Sequence, residues 1–182
     1  MNLPNRLSLL RICLVPVCVG LMYLNHPIGR ILALVVFLIA AFTDFLDGHI
    51  ARSQNLVTDF GKFMDPVADK LLVLSMMVML SAQGSLPAWM VVLVLARDLC
   101  VDGLRLVAGR QGRVIAAGKL GKIKTVMQMV TISVTLLNNW PFGHFPMQTI
   151  MIWLTVALTL WSGIDYFIKN KAVLFPDKEA QP

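Results

Sequence analysis

Asp44-Phe45-Leu46-Asp47-Gly48-His49-Ile50-Ala51-Arg52, followed by Gly61, Asp65 and Asp69, sets four carboxylates inside two strongly apolar stretches. A carboxylate at membrane depth costs about 2.5–3.5 kcal/mol on insertion scales, so four are tolerable only where they share cations or line a wet cavity. The expected occupant is a divalent metal. Composition agrees with a membrane setting: of 182 residues, 57% are hydrophobic and 14% charged, and the mean hydropathy is +0.73, outside the usual range of a soluble domain.

Apolar stretches near 9–24, 31–50, 66–82, 86–108, 126–140 and 147–168 each approach the roughly 17–25 residues that cross a bilayer. The expected fold is therefore all-α, an integral membrane bundle of six transmembrane helices forming one domain over 1–182. A short N-terminal interfacial helix is expected over Met1–Leu10, with Arg6 and Arg11 on an amphipathic stretch. No small-residue cleavage site follows it, and Arg11 would interrupt a signal peptide's apolar core, so the first stretch is expected to remain as a span.

Basic residues set the orientation. Arg30 falls in a connection on the far side, whereas Arg52, Lys62, Arg105, Arg110, Arg113, Lys119, Lys122, Lys124, Lys169, Lys171 and Lys178 fall on the side shared by both termini. That side is expected to be cytoplasmic, in the cell membrane. The net charge of +6 then belongs to one basic face set against anionic headgroups and phosphates, and nucleic acid is not an expected partner. Cys13, Cys18 and Cys100 lack metal-type spacing and read as small core residues between helices. His26 and His144 read as solvated turn residues, and His49 as a neighbour of the acidic motif rather than a ligand.

Asp44, Asp47, Gly48 and Ala51 share one face of the second helix, and Gly61, Asp65 and Asp69 share one face of the third. In an antiparallel hairpin, residues with equal index sums sit level, which pairs 44 with 69 and 47 with 65. With Arg52 and Gly61 at the cytoplasmic ends, Asp44 and Asp69 lie roughly 12 Å inward. The site is shallow and reachable from the cytosol. All-oxygen ligands favour Mg²⁺ or Mn²⁺, with Ca²⁺ possible, and four carboxylates suit two ions. Two such ions can clamp a pyrophosphate and stabilise both oxygens of an in-line displacement. Gly48 and Ala51 leave room for a ligand against the helix, within reach of Arg52. The plainer alternative is a set of helix-binding ion pairs using Lys70 and Arg97, but two cations do not neutralise four carboxylates.

The pattern D-x-x-D-G-x-x-A-R-x8-G-x-x-x-D-x-x-x-D, complete here from Asp44 to Asp69, resembles the signature of the CDP-alcohol phosphatidyltransferases. The resemblance extends over nearly the whole chain. It implies a homodimer of six-span subunits that transfers a phosphatidyl group from a CDP-linked lipid to an alcohol and releases CMP. It further implies that Asp44, Asp47 and Asp65 hold the metals, that Asp69 faces a metal while acting as general base, and that Gly48, Ala51, Arg52 and Gly61 border the cytidine diphosphate. Spacing by itself does not distinguish Asp69 from Asp65 as the base.

Acceptor choice lies elsewhere. Ala96-Arg97-Asp98, Leu104-Arg105, the Gly61–Lys70 segment and the run Gly121-Lys122-Ile123-Lys124-Thr125-Val126-Met127-Gln128 are similar to the phosphatidylglycerophosphate synthase branch of that family. This implies sn-glycerol 3-phosphate as acceptor and CDP-diacylglycerol as donor. Arg97 and Arg105 lie about 12 Å apart along nearly one face, and with Lys122 and Lys124 they offer the charge a phosphate dianion needs. Part of the 105–124 charge also fits a topology signal, whereas Arg97 is too deep for one and needs an anion or a ligand. Asp98, Asp102 and Asp165 read as structural partners for Arg97, Arg105 or Lys169. Cys100-Val101-Asp102 stands where a more apolar or hydroxylated stretch is expected. Alternatives are a cardiolipin, phosphatidylinositol phosphate or phosphatidylserine synthase of the same family, or a divalent-cation transporter. A transporter calls for an inverted repeat or an acidic path to the far side, yet connections 25–30, 83–87 and 139–147 contain no carboxylate.

Overall fold

A computed structural model describes the backbone of residues 3–24, 26–53, 59–113, 115–116, 118–138, 140, 143 and 145–174; the side chains of 3–5, 44–53, 59–63, 65 and 66 lie outside the described residues. The described residues form helices and no strands: α1 Leu3–Tyr23, α2 Pro27–Ser53, α3 Asp59–Ala82, α4 Ala88–Arg110, α5 Lys119–Leu136, α6 Met147–Lys169 and the single turn α7 Lys171–Leu174. The six apolar stretches of the sequence correspond to α1–α6. Their punctuation is local. Gly84 and Gly112 take φ of +70° and +69° just past the ends of α3 and α4, a conformation that glycine adopts without a Cβ clash. Pro87 and Pro146 immediately precede α4 and α6.

The N-terminal segment differs from expectation. Instead of a separate interfacial piece before the first span, the chain from Leu3 onward is one helix. Pro4 stands in the first turn, where its missing N–H leaves no helical bond unmade. Arg11 is fully buried rather than displayed on an amphipathic surface. Among the described residues, Arg6–Tyr23 of α1 and Met147–Lys169 are long and apolar enough to cross a membrane, and Pro27–Thr43 of α2 is apolar but shorter. Large apolar side chains also remain exposed on outward faces, among them Val35, Phe42, Val92, Leu99, Trp161 and Ile164. Such a surface is one that lipid solvates better than water.

The core is built from helical spacing. Val15, Cys18 and Met22 of α1, Ala33, Phe37 and Ala40 of α2, and Leu72, Met76 and Leu80 of α3 pack together with Met90, Val94, Ile132 and Val156. Met76 and Met77 are thus interior filler. Of the three cysteines only Cys18 is buried; Cys13 and Cys100 are exposed and all three are free. The expectation of three core cysteines fails because residues 13 and 100 fall on the outward faces of α1 and α4. Between α5 and α6 the Thr131 and Thr155 hydroxyls share a hydrogen bond of 2.7 Å, a polar link of the kind that joins helices where apolar contact alone gives little preference.

At the end far from the acidic motif, one knot joins four elements. Arg30 donates from Nη2 to Gln83 Oε1 at 2.9 Å and to Ser85 Oγ at 3.0 Å. Gln83 Nε2 donates to the Met22 carbonyl at 2.8 Å, and Gln148 Nε2 to the Ser85 carbonyl at 2.6 Å. Arg30, placed by the sequence in a connection, lies instead in the first turn of α2 and ties it to the α3–α4 connection. The same end brings α1 and α2 so close that a Cβ on Gly29 would lie 2.6 Å from the Leu21 carbonyl oxygen, whereas a Cβ on Gly20 would meet nothing within 4 Å. Gly29→Ala is expected to destabilise the purified protein by about 1–3 kcal/mol, because backbone must move. Gly20→Ala is expected to be neutral or slightly stabilising. Thermal unfolding in detergent, with both variants side by side, checks the contrast.

Candidate active site

A cavity of about 250 Å³ lies between α3, α4, α5 and α6. Its polar lining follows from helical spacing: Asp69 and Lys70 on α3, Arg97, Asp98, Asp102 and Arg105 on α4, Lys122, Lys124, Thr125 and Gln128 on α5, and Tyr166 on α6. Val73, Leu74 and Val101 supply apolar wall. Lys70, Arg97, Arg105, Lys122 and Lys124 outnumber Asp69, Asp98 and Asp102 in the lining, so the cavity carries a positive excess suited to an anionic ligand.

Asp98 is the hub. Only 9% exposed, it accepts from Lys124 Nζ at 2.7 Å on Oδ1 and 2.9 Å on Oδ2, and from Arg97 Nη1 at 3.1 Å. Lys124, 3% exposed, is buried only because this carboxylate compensates it. Lys70 and Asp102 form a second ion pair, joining α3 to α4. Arg105 Nε donates to the Tyr166 hydroxyl at 3.0 Å. One edge of that guanidinium is thus fixed, and the side chain lines the cavity. Asp165 pairs with Lys169 at 2.8 Å, outside the cavity lining. The three aspartates read from sequence as structural partners are all paired, with Lys124 and Lys70 added to the expected set and Arg105 bonded to Tyr166.

Arg97 reaches its place through missing side chains. A Cβ on Gly163 of α6 would lie 3.2 Å from Arg97 Cγ, and a Cβ on Gly121 of α5 would lie 3.8 Å from Arg97 Nη2. The guanidinium passes between two helices where neither carries a side chain, and its buried Nε has no hydrogen-bond partner. Gln128, 2% exposed, also has an Nε2 without a partner.

Of the residues singled out in the sequence, Asp69, Arg97, Arg105, Lys122 and Lys124 meet in this one cavity. Asp44, Asp47, Gly48, Ala51 and Arg52 belong to the last part of α2, and Gly61 and Asp65 to the start of α3; their side chains lie outside the described residues. Sequence reasoning gave no role to Tyr166 and Gly163. A signal was present, since Thr155, Thr159, Gly163 and Tyr166 form a small or polar stripe along a helix otherwise bulky and apolar.

The model of the family described as CDP-alcohol phosphatidyltransferase matches residues 1–161. The chain is 42% identical to the CDP-diacylglycerol–glycerol-3-phosphate 3-phosphatidyltransferase of Bacillus subtilis, over 93% of this chain and 95% of that protein. It is 38% identical to the protein of the same name from Rickettsia typhi, over 91% and 95%. To a probable phosphatidylglycerophosphate synthase of Mycobacterium tuberculosis it is 40% identical, over 91% of this chain and 79% of the relative. The matched span begins at residue 1 and takes in the acidic motif and the whole lining of the cavity except Tyr166, and by that extent of agreement the chain belongs to the CDP-alcohol phosphatidyltransferase family.

Proposed function

We propose that this protein transfers the phosphatidyl group of CDP-diacylglycerol to sn-glycerol 3-phosphate, forming phosphatidylglycerophosphate and releasing CMP at the cytoplasmic face of the cell membrane. The observation that carries this reading is the cavity in which Asp69 stands among a surplus of Arg and Lys side chains. It has the character of a small phosphorylated alcohol's site, with a carboxylate present to take a proton. The names borne by the relatives support the same donor and acceptor. In this reading α1–α6 each cross the bilayer, and two copies pair as a homodimer.

Asp44, Asp47, Asp65 and Asp69 would hold Mg²⁺ or Mn²⁺, two ions by carboxylate count, since an all-carboxylate donor set suits hard divalent cations. When bound, such ions supply charge neutralisation of the donor pyrophosphate. Arg52, with Gly48, Ala51 and Gly61 leaving space beside the helices, would steady the cytidine diphosphate. Arg105 and Lys122 would grip the phosphate of the acceptor, with Arg97 and Lys124 adding field from behind Asp98. Asp69 takes the proton from the acceptor hydroxyl as its oxygen bonds to the phosphatidyl phosphorus, and the bond from that phosphorus to the CMP oxygen breaks. Arg105 is preorganised for this by Tyr166, so little order is lost when the acceptor arrives.

The direct test is CMP release by purified protein given CDP-diacylglycerol and, separately, glycerol 3-phosphate, inositol phosphate, serine or phosphatidylglycerol. Glycerol 3-phosphate is expected to be used fastest, and faster release with another alcohol overturns the acceptor assignment. Asp44→Asn, Asp47→Asn and Asp65→Asn are each expected to abolish metal-dependent turnover while the protein still inserts. Near-normal turnover in saturating Mg²⁺ would remove that residue from the metal shell. Asp69→Asn is expected to lower kcat while leaving CDP-diacylglycerol binding largely intact; equal loss of both argues for a purely ligating role. Arg105→Ala is expected to raise the KM for glycerol 3-phosphate about ten- to hundredfold, the equivalent of a charged hydrogen bond of about 1.5–3 kcal/mol, with a smaller change for the lipid. Initial-rate kinetics at varied acceptor check it.

A further inference from the structure

The phosphate and the reacting hydroxyl leave one part of a glycerol phosphate without a named partner, and besides the cationic Arg97 the cavity lining holds one neutral side chain with an unpartnered donor. Gln128 lies nine residues beyond the first residue of α5, about 14 Å along the helix, inward of Lys122, Lys124 and Thr125. It lines the cavity, as do the apolar side chains of Val73 and Leu74. The residue is 2% exposed, and its Nε2 has no hydrogen-bond partner. Buried amide N–H groups are nearly always paired, because leaving them unpaired forfeits their hydration without return. The carboxamide is neutral, so it cannot compensate a phosphate, and the cations lie elsewhere in the lining. It fits an uncharged oxygen.

We propose that Gln128 determines acceptor specificity by hydrogen-bonding the hydroxyl of a polyol phosphate that does not react. This rests on the acceptor reading above and deepens it: the preferred substrates are phosphorylated alcohols bearing a second hydroxyl next to the attacking one. The cavity volume of about 250 Å³ is below the usual range of drug-sized pockets, which suits so small a ligand. A site built around a substrate hydroxyl rejects the analogue lacking it, since its own buried donor is then stranded.

The test compares glycerol 3-phosphate with 3-hydroxypropyl phosphate, which lacks only the secondary hydroxyl. Rates of CMP release from CDP-diacylglycerol give kcat/KM for each acceptor in the wild type, Gln128→Met and Gln128→Leu. The wild type is expected to prefer glycerol 3-phosphate by about tenfold or more. In both variants the preference is expected to fall to about threefold or less, through loss on glycerol 3-phosphate with the deoxy analogue little changed. A wild type that uses both acceptors equally overturns the proposal whatever the variants do. So does an undiminished preference in the variants, or an equal loss on both acceptors, which marks a structural residue. Failure of the acceptor reading looks different: the wild type then releases CMP with some other alcohol and not with glycerol 3-phosphate.

Discussion

A single buried carboxylate holds one buried cation, Lys124, and one half-buried cation, Arg97, in place, and the polar cavity depends on it. Asp98 takes two bonds from Lys124 and one from Arg97, in a position where none of the three groups is well hydrated. Removing one partner from such a set strands the other, at about 3–5 kcal/mol, far more than an exposed pair is worth. The pairing also fixes geometry. Lys124 commits α5 to α4, and Arg97 commits α4 to the slot between Gly121 and Gly163. Lys70 and Asp102 do the same for α3 and α4. Ion pairs thus add register to α3, α4 and α5 beyond what apolar packing gives, since apolar contact in lipid discriminates poorly between one register and another.

That arrangement divides the cations by task. Lys124 is buried and already neutralised; Arg105 and Lys122 are exposed, and Arg105 Nε is held by the Tyr166 hydroxyl. The first contributes position and field, and the second pair remains available to a ligand. In the proposed reading a phosphate entering the cavity would meet Arg105 already held by Tyr166, the condition under which electrostatic binding loses least to reorganisation. The apolar face of the bundle and the far-end knot around Arg30 serve this end indirectly. They keep α1–α3 packed as one unit, so that Asp69 is presented at a fixed depth along α3.

Much of this was legible in the sequence. Apolar runs located α1–α6, and the acidic spacing from Asp44 to Asp69 led to the family that the comparisons then matched. Helical periodicity alone put Arg97 and Arg105 on nearly one face, and both line the cavity. The Lys124–Asp98 and Lys70–Asp102 pairings were not legible, because they depend on the register between helices: nothing in the spacing of Asp98 and Lys124 says that α4 and α5 meet there. The Arg97–Asp98 and Lys169–Asp165 pairs, by contrast, are among those the sequence offered. Gly163 and Gly29 matter for what approaches them, and a sequence does not record that. The N-terminal segment was misread because a proline near the chain start signals a turn and a helix start equally well.

Asp98 organises the cavity rather than merely diluting its positive charge, and the two roles predict opposite signs. Equilibrium binding of glycerol 3-phosphate to purified wild type and Asp98→Asn, with thermal unfolding of both, separates them. The variant keeps the shape of the side chain and makes the cavity more positive by one charge. If Asp98 organises, binding weakens and the unfolding temperature falls, because Lys124 and Arg97 lose the group that positions them. Tighter or unchanged binding at unchanged stability would contradict the account.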